Sequence, residues 1–494
     1  MTEFEHLSRI YLTLDLWTNR RMVSFLAVTV HFINSSWELK SLVIACDQFV
    51  ERHTAVNIAT AYEEIVMKFG ICGKVRRVVA DNDSSTVKAF DVCLPGLYGD
   101  EVRTESSGEN ENEDALDILE EELDLDEVLA LLPPERSSCF AHTQQLCIRY
   151  AFNDPSVRNS AVATVIHKCY SIVAAIRRST VAAPFLEKFG VALQAANATR
   201  WNSQLTMIKS VLKDTSGVNS AIRLLGTKKT VEELKGIKMT MLKEVVQVLE
   251  PFQEEMSQVE GENIVTLSCI APVVFGLEHS LKLFIENKPL YCFKLANALQ
   301  SSVKKRLHPF LERIDVIAAA AMDPRFKLAW IPCEELQKEK ISKIVDLIIA
   351  ESTKDYKEKV QKEEIQENAL SRSINQDKDG IIAKRPRLFA YMPPPGPSMA
   401  SPSTNHTTVV KTELETYLEE GVLPFDINPL KYWRDIQSFK ILRHFAKSIL
   451  GCCATSAPSE SVFSKAGNFY TPERAKLSPE IFRALMMIKC NSDM

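Results

Sequence analysis

The sequence predicts an α/β fold, with strands near the N-terminus, a long helical middle and a helical C-terminal part behind a polar linker. Three observations carry that reading. Two β-branched and aromatic runs flank Asn19-Arg20-Arg21, apolar residues recur at helical spacing from about residue 140, and Pro, Ser and Thr crowd the segment before residue 413.

Taken in order, Tyr11 to Trp17 and Phe25 to Phe32 read as a hairpin of strands, because branched and aromatic side chains suit a pleated, half-buried surface. Glu38 to Ile44 predicts a third strand. Ala55, Ile58, Ala59, Tyr62, Ile65 and Val66 then recur on one helical face. Val78-Val79-Ala80 predicts a short buried strand ending at Asp81, with a helix starting near Ser84-Ser85. From Asp100 to Glu127 fourteen acids stand against Arg103 alone, a local charge of -13. That stretch lacks the apolar content to fold by itself and reads as a solvated insertion, with Leu116, Leu119, Leu123 and Leu125 giving it at most a transient helix.

The remaining chain carries +8 of the net -5, a mildly basic body that permits DNA contact without requiring it. Ala161 to Ile166, the set Met241, Leu242, Val245, Val246, Val248 and Leu249, and Ile314 to Met322 all suit buried helix faces. Residues 352–412 turn charged and then Pro-rich, which favours an extended linker. Lys384-Arg385-Pro386-Arg387 within it is a basic cluster of the kind used for nuclear import. Leu414, Tyr417, Leu418 and Trp433 restore the helical pattern. Farther on, Ser456 is the expected N-cap of a helix that tolerates Pro458 in its first turn and carries Glu460 beside Phe463, Ser464 and Gly467.

Composition narrows the function. With 46% hydrophobic and 25% charged residues the chain is ordinary for a globular protein. No run of about eighteen uninterrupted apolar residues is present, so no membrane partner is expected. The acidic start Met1-Thr2-Glu3-Phe4-Glu5-His6 does not read as a secretory signal. The twelve cysteines include no Cys-x-x-Cys pair, which argues against a disulfide framework and a structural zinc finger.

The string Ala454-Thr455-Ser456-Ala457-Pro458-Ser459-Glu460-Ser461-Val462-Phe463-Ser464, continued by Leu477-Ser478-Pro479 and Leu485-Met486-Met487-Ile488, resembles the C-terminal dimerisation region of hAT-type DNA transposases and of host proteins derived from them, including the BED-type zinc-finger family. Cys139-Phe140-Ala141-His142 and Thr199-Arg200-Trp201-Asn202-Ser203 resemble two further family elements. So do Leu249-Glu250-Pro251-Phe252, Asp323-Pro324-Arg325-Phe326-Lys327 and Pro429-Leu430-Lys431-Tyr432-Trp433. The resemblance implies a ribonuclease-H-like core interrupted by a large all-helical insertion and completed by C-terminal helices. Its expected divisions are 8–150 for the first part of the core, with an acidic insertion at 100–130, then 151–351 for the helical insertion, 352–412 for the linker and 413–494 for the dimerisation region.

The resemblance also places the ancestral acids at Asp15, Asp81 and Glu460. Carboxylates drawn together suit Mg²⁺ or Mn²⁺, because hard cations take oxygen ligands and a metal pair stabilises both oxygens of a phosphodiester displacement. No cofactor is required unless the site is catalytic. Arg200 and Trp201 are the implied DNA contacts, an arginine for phosphate and an indole for an unpaired base. Two residues, Cys139 and His142, are expected to support the strand end.

Against these stand bland readings: a strand-end Asp, a core Trp. Ser461 replaces the family's Arg after the third acid, and Asp83 adds a negative charge near the second. Met1 stands almost directly before the first strand, so a BED finger is either lacking or encoded upstream. The expectation is a domesticated, transposase-derived nuclear protein, DNA-associating and self-associating, in transcriptional regulation. Two alternatives are an active DDE-type transposase with metal-dependent cleavage and transfer, and a protein-interaction scaffold without DNA contact.

Overall fold

The structure, a computed structural model, describes residues 4, 7, 9–18, 22–81, 86, 135–196, 201–225, 238–261, 263–352, 403–469 and 478–492. It is a mixed α/β protein, mostly helical. Two compact units divide it, one of residues 1–316 with 450–494 and one of residues 317–449.

The first unit is built on a five-stranded sheet of order β3-β2-β1-β4-β5. Its strands are β1 (Ile10–Thr18), β2 (Ser24–Ile33), β3 (Leu39–Phe49), β4 (Val75–Ala80) and β5 (Glu135–Ser138). Strand β2 runs antiparallel to both β1 and β3, whereas β4 is parallel to β1 and to β5. Strand β3 is therefore also parallel to β4, and α1 (Ala55–Lys68) supplies the crossover that parallel strands need. Thr54 caps that helix by accepting from the Asn57 N–H.

Alternation along β1 assigns its two faces. Ile10, Leu12 and Leu14 join Val28, Val30, Ile44 and Val78 under Ile58, Tyr62, Ile65 and Val66 of α1. The opposite face carries Tyr11, Thr13, Asp15 and Trp17. It is covered from the far end of the chain: Val462, Phe463, Ala466, Phe482 and Met486 pack on Phe25, Ala27, Val43 and Cys46.

The helical portion of this unit includes α2 (Phe140–Asn153), α3 (Ala161–Arg178), α4 (Trp201–Lys213), α5 (Met239–Val259), α6 (Ile270–Glu286) and α7 (Phe293–Arg306). As their spacing predicts, Met241, Leu242, Val245, Val248 and Leu249 are buried. By length and composition one helix, Leu267–Glu286, could cross a membrane. Here Ile270, Val274, Leu277 and Leu281 are buried where α6 meets α5 and α7. A protein core accounts for their apolar character.

The second unit joins residues 317–352 to α8 (Ser403–Glu419), α9 (Pro429–Asp435) and α10 (Lys440–Ile449). Its centre is Trp433, fully buried, whose indole N–H donates to the Met322 carbonyl at 2.6 Å. Tyr417 lies against it with ring centroids 5.0 Å apart. Asp323 is wholly buried and held by Arg325 at 2.7 Å.

The helix before Glu413 begins at Ser403, inside the segment 352–412 read as linker, and the compact units divide at 316 and 450. The Ser/Thr-rich first turns of α8 hide its helical character from an apolar count. The acidic insertion, the helix expected near Ser84-Ser85, and Lys384 to Arg387 lie outside the described residues.

Candidate acidic site

The C-terminal part ends in α11 (Ala457–Phe469) and α12 (Pro479–Cys490). Helix α11 lies along β1, and two contacts fix its register. The Ser459 hydroxyl bonds that of Thr13, and the Phe463 ring stacks on Trp17 with centroids 5.5 Å apart. Asp15 lies between those two strand positions, on the same face, and Glu460 follows Ser459. The parallel register pairs Leu14 with Ala80, so the next step along both strands brings Asp81 beside Asp15.

Electrostatics agree with that placement. Burial raises the Asp15 carboxyl well above its ordinary range, and repulsion from Asp81 and then Glu460 raises it further. The Leu16 N–H, donating to Asp15 Oδ1 at 2.9 Å, only partly offsets this.

Asp81 has its own partners. One of its carboxylate oxygens meets His142 Nδ1 at 3.2 Å and the other accepts from the Ser456 hydroxyl at 3.5 Å. Ser456 thus turns its side chain to Asp81 instead of capping α11. Its carbonyl still accepts the Glu460 N–H, and Thr455 Oγ1 takes the Ala457 N–H. Cys139 directly follows β5, donates its N–H to the Ala80 carbonyl at 2.9 Å and accepts the Ser456 N–H on its sulfur at 3.3 Å. Burial pushes its thiol up to about 12, so it stays protonated.

Behind the acids runs a buried chain of hydroxyls that sequence reading missed. Ser459 meets Thr13, Thr13 meets Thr29, and Thr29 meets His31 Nε2 at 2.7 Å. Burial lowers His31 to about 3, so its ring is neutral and fixes the chain without adding charge. Alternate Thr13, Thr29 and His31 within otherwise apolar strands were the available signal.

Trp201 opens α4 with its ring buried, and its indole N–H is buried without a hydrogen-bond partner among the described residues. Stacking on a base would require that ring to leave its packing. Arg200 lies outside the described residues.

As donors, three carboxylates fit Mg²⁺ or Mn²⁺. Among the described residues no group of three or more His, Cys, Asp and Glu side chains is placed to hold a metal ion. Asp81 is turned to His142 and Ser456.

Comparisons with known proteins fall on the sheet and on the C-terminal helices. Residues 13–106 match the ZBED1 RNase-like domain, and residues 413–492 match the hAT family C-terminal dimerisation region. The chain is 22% identical to the putative AC transposase of Zea mays, over 98% of this chain and 56% of that protein. It is 24% identical to the putative AC9 transposase of Zea mays, over 98% and 57%, and 21% identical to the human zinc finger BED domain-containing protein 4, over 72% and 29%. The chain thus spans about half the length, or less, of the curated relatives it matches. These similarities support a hAT, BED-like, transposase-derived affiliation, and the matched dimerisation region supports self-association.

Proposed function

We propose that this chain acts as a domesticated transposase-derived nuclear protein, associating with DNA and with itself in transcriptional regulation, on a ribonuclease-H-like core. The strand order β3-β2-β1-β4-β5, with β2 antiparallel to both its neighbours and the other pairings parallel, supports that core together with the RNase-like match. The observation that carries the domesticated reading is the state of the acids. Asp15, Asp81 and Glu460 lie close enough to raise the Asp15 carboxyl, yet Asp81 is committed to His142 and Ser456 and, among the described residues, no group of three metal ligands is placed together.

A second reading, a DDE-type transposase using Mg²⁺ or Mn²⁺, is favoured by that same electrostatic coupling, because a bound cation would relieve it. One assay separates them. Purified protein is incubated with supercoiled plasmid and hairpin-forming oligonucleotides in Mn²⁺, beside Asp81→Asn and Glu460→Gln. DNA retention without nicking is expected, and metal-dependent nicking by the wild type that both variants abolish would install the transposase. A wild type that retains no DNA even at low salt would instead leave only the scaffold.

A further inference from the structure

We propose that a cavity at the end of β5 is a phosphodiester pocket, holding the sugar-phosphate backbone of DNA beside the acidic site. This rests on the DNA association proposed above and names the surface that performs it. The cavity, of about 280 Å³, is walled by Ser138, Thr143, Lys305, Arg306, Phe310 and Arg313. Three of these side chains are cationic.

Each cation is held differently. Arg313 donates to both carboxylate oxygens of Asp315, at 3.2 and 2.7 Å, and to the Ser137 hydroxyl at 2.6 Å. Those bonds use three of the five N–H donors of a guanidinium and fix its plane, leaving the others for a ligand. Arg306 lies over the Tyr150 ring at 3.7 Å, which orients it without neutralising it. Lys305 is exposed, and neither it nor Arg306 forms an ion pair with a carboxylate among the described residues. Three basic residues at the last turn of α7 are by themselves explained by the helix dipole. Arg313, which lies beyond that helix, and the Ser138 hydroxyl are not, whereas the Thr143 hydroxyl donates to the Cys139 carbonyl at 2.8 Å and only walls the cavity.

The location decides the ligand. Ser138 pairs with Ala80, next to Asp81, and Thr143 follows His142, the partner of Asp81. The basic pocket and the acids therefore adjoin at one end of the sheet. Clustered carboxylates repel a polyanion, so a strand that approaches them needs an attractive hold close by. A pocket with flexible lysine charge, a fixed guanidinium and the Ser138 hydroxyl supplies it for a phosphate oxygen.

The test is fluorescence anisotropy of the full chain with a labelled duplex across a salt series. Lys305→Glu is expected to weaken binding at least tenfold and to flatten the slope of log affinity against log salt by ~1–2. Lys282→Glu, an exposed reversal on α6, is expected to change affinity less than twofold. Lys305 is exposed, so its variant should fold, with circular dichroism as the check, and the double variant Lys305→Ala with Arg306→Ala repeats the measurement without reversing charge. Equal losses in the Lys282 and Lys305 variants, or unchanged binding in both pocket variants, overturn the pocket and leave DNA association standing. A wild type that binds no duplex at low salt overturns DNA association itself, and the pocket with it. A trinucleotide should displace the duplex where orthophosphate at equal ionic strength does not, and the reverse order would make this a site for the free anion.

Discussion

At the scale of single residues, the environment of Asp15 conflicts with its chemistry. It is half-buried, faces two other acids and accepts a backbone N–H in return. Its folded-state pKa is raised above the unfolded value near 4. Its contribution to stability is therefore fully present below about pH 4 and is lost as pH rises through the folded value. Asp15→Asn removes that dependence. Urea unfolding of the two proteins should give similar stability near pH 4, with the variant more stable at pH 8 by about 1–3 kcal/mol, the scale for relieving a buried, poorly paired polar group. Identical pH profiles would mean that a counter-charge already compensates Asp15. Thr29 makes the complementary case. Thr29→Val leaves both Thr13 and His31 short of a partner and should cost about 1–3 kcal/mol in the same assay.

Among the elements, α12 is the one whose loss the sheet would feel most. Phe482 meets Phe25 with centroids 5.1 Å apart, and Arg483 pairs with Asp47 at 3.0 Å. Just beyond the helix, the Asn491 side chain accepts the Val43 N–H and donates to the Val43 carbonyl, each at 3.0 Å. Strand β3 is an edge, and this amide occupies backbone groups that another strand would seek. Phe482→Ala should cost about 3–5 kcal/mol, read as a fall in the urea midpoint. A change below 1 kcal/mol would show that α12 is not integral to the core. The same contacts show what sequence reading caught and missed. Strands β1 and β2 were legible because their apolar runs are nearly continuous, and α1 because its buried face keeps helical spacing. The expectation for β3 stopped at Ile44, whereas the strand runs to Phe49 through polar Asp47 and Gln48. Asp47 is stabilised by Arg483, a partner more than 400 residues away that no local pattern announces. Likewise the three acids came into view through family resemblance, while alternation put Asp15 on its face. The pocket of Lys305 and Arg313 was invisible, since nothing along the chain links it to Ser138.

For the whole molecule, the matched dimerisation region supports self-association, and α12 offers a place for it. Its inward residues Phe482 and Met486 leave Ile481 and Ile488 outward, 52% and 69% exposed, with exposed Ala484 between them on the same face. Positions seven apart lie on one helical stripe. Ile481→Glu combined with Ile488→Glu should leave the fold intact and shift light scattering from an oligomer toward a monomer mass. An unchanged mass would move the interface elsewhere on the protein. If the assembly is obligate, about 2,000 Å² or more should be buried, so neighbouring surfaces must contribute as well.

The bond between Thr13 and Ser459 spans 446 positions of sequence, and that span bears on how the protein is made. A ribosome adding ~5–20 residues per second needs roughly 20–90 s between the two. Throughout that interval Phe25, Ala27, Val43 and Cys46 exist without the helices that cover them, and the β3 edge exists without Asn491. Each nascent chain therefore presents an apolar sheet face and an open strand edge for most of its synthesis. Expression level, temperature and chaperone supply should govern the yield of soluble protein more strongly than the stability of the finished fold does.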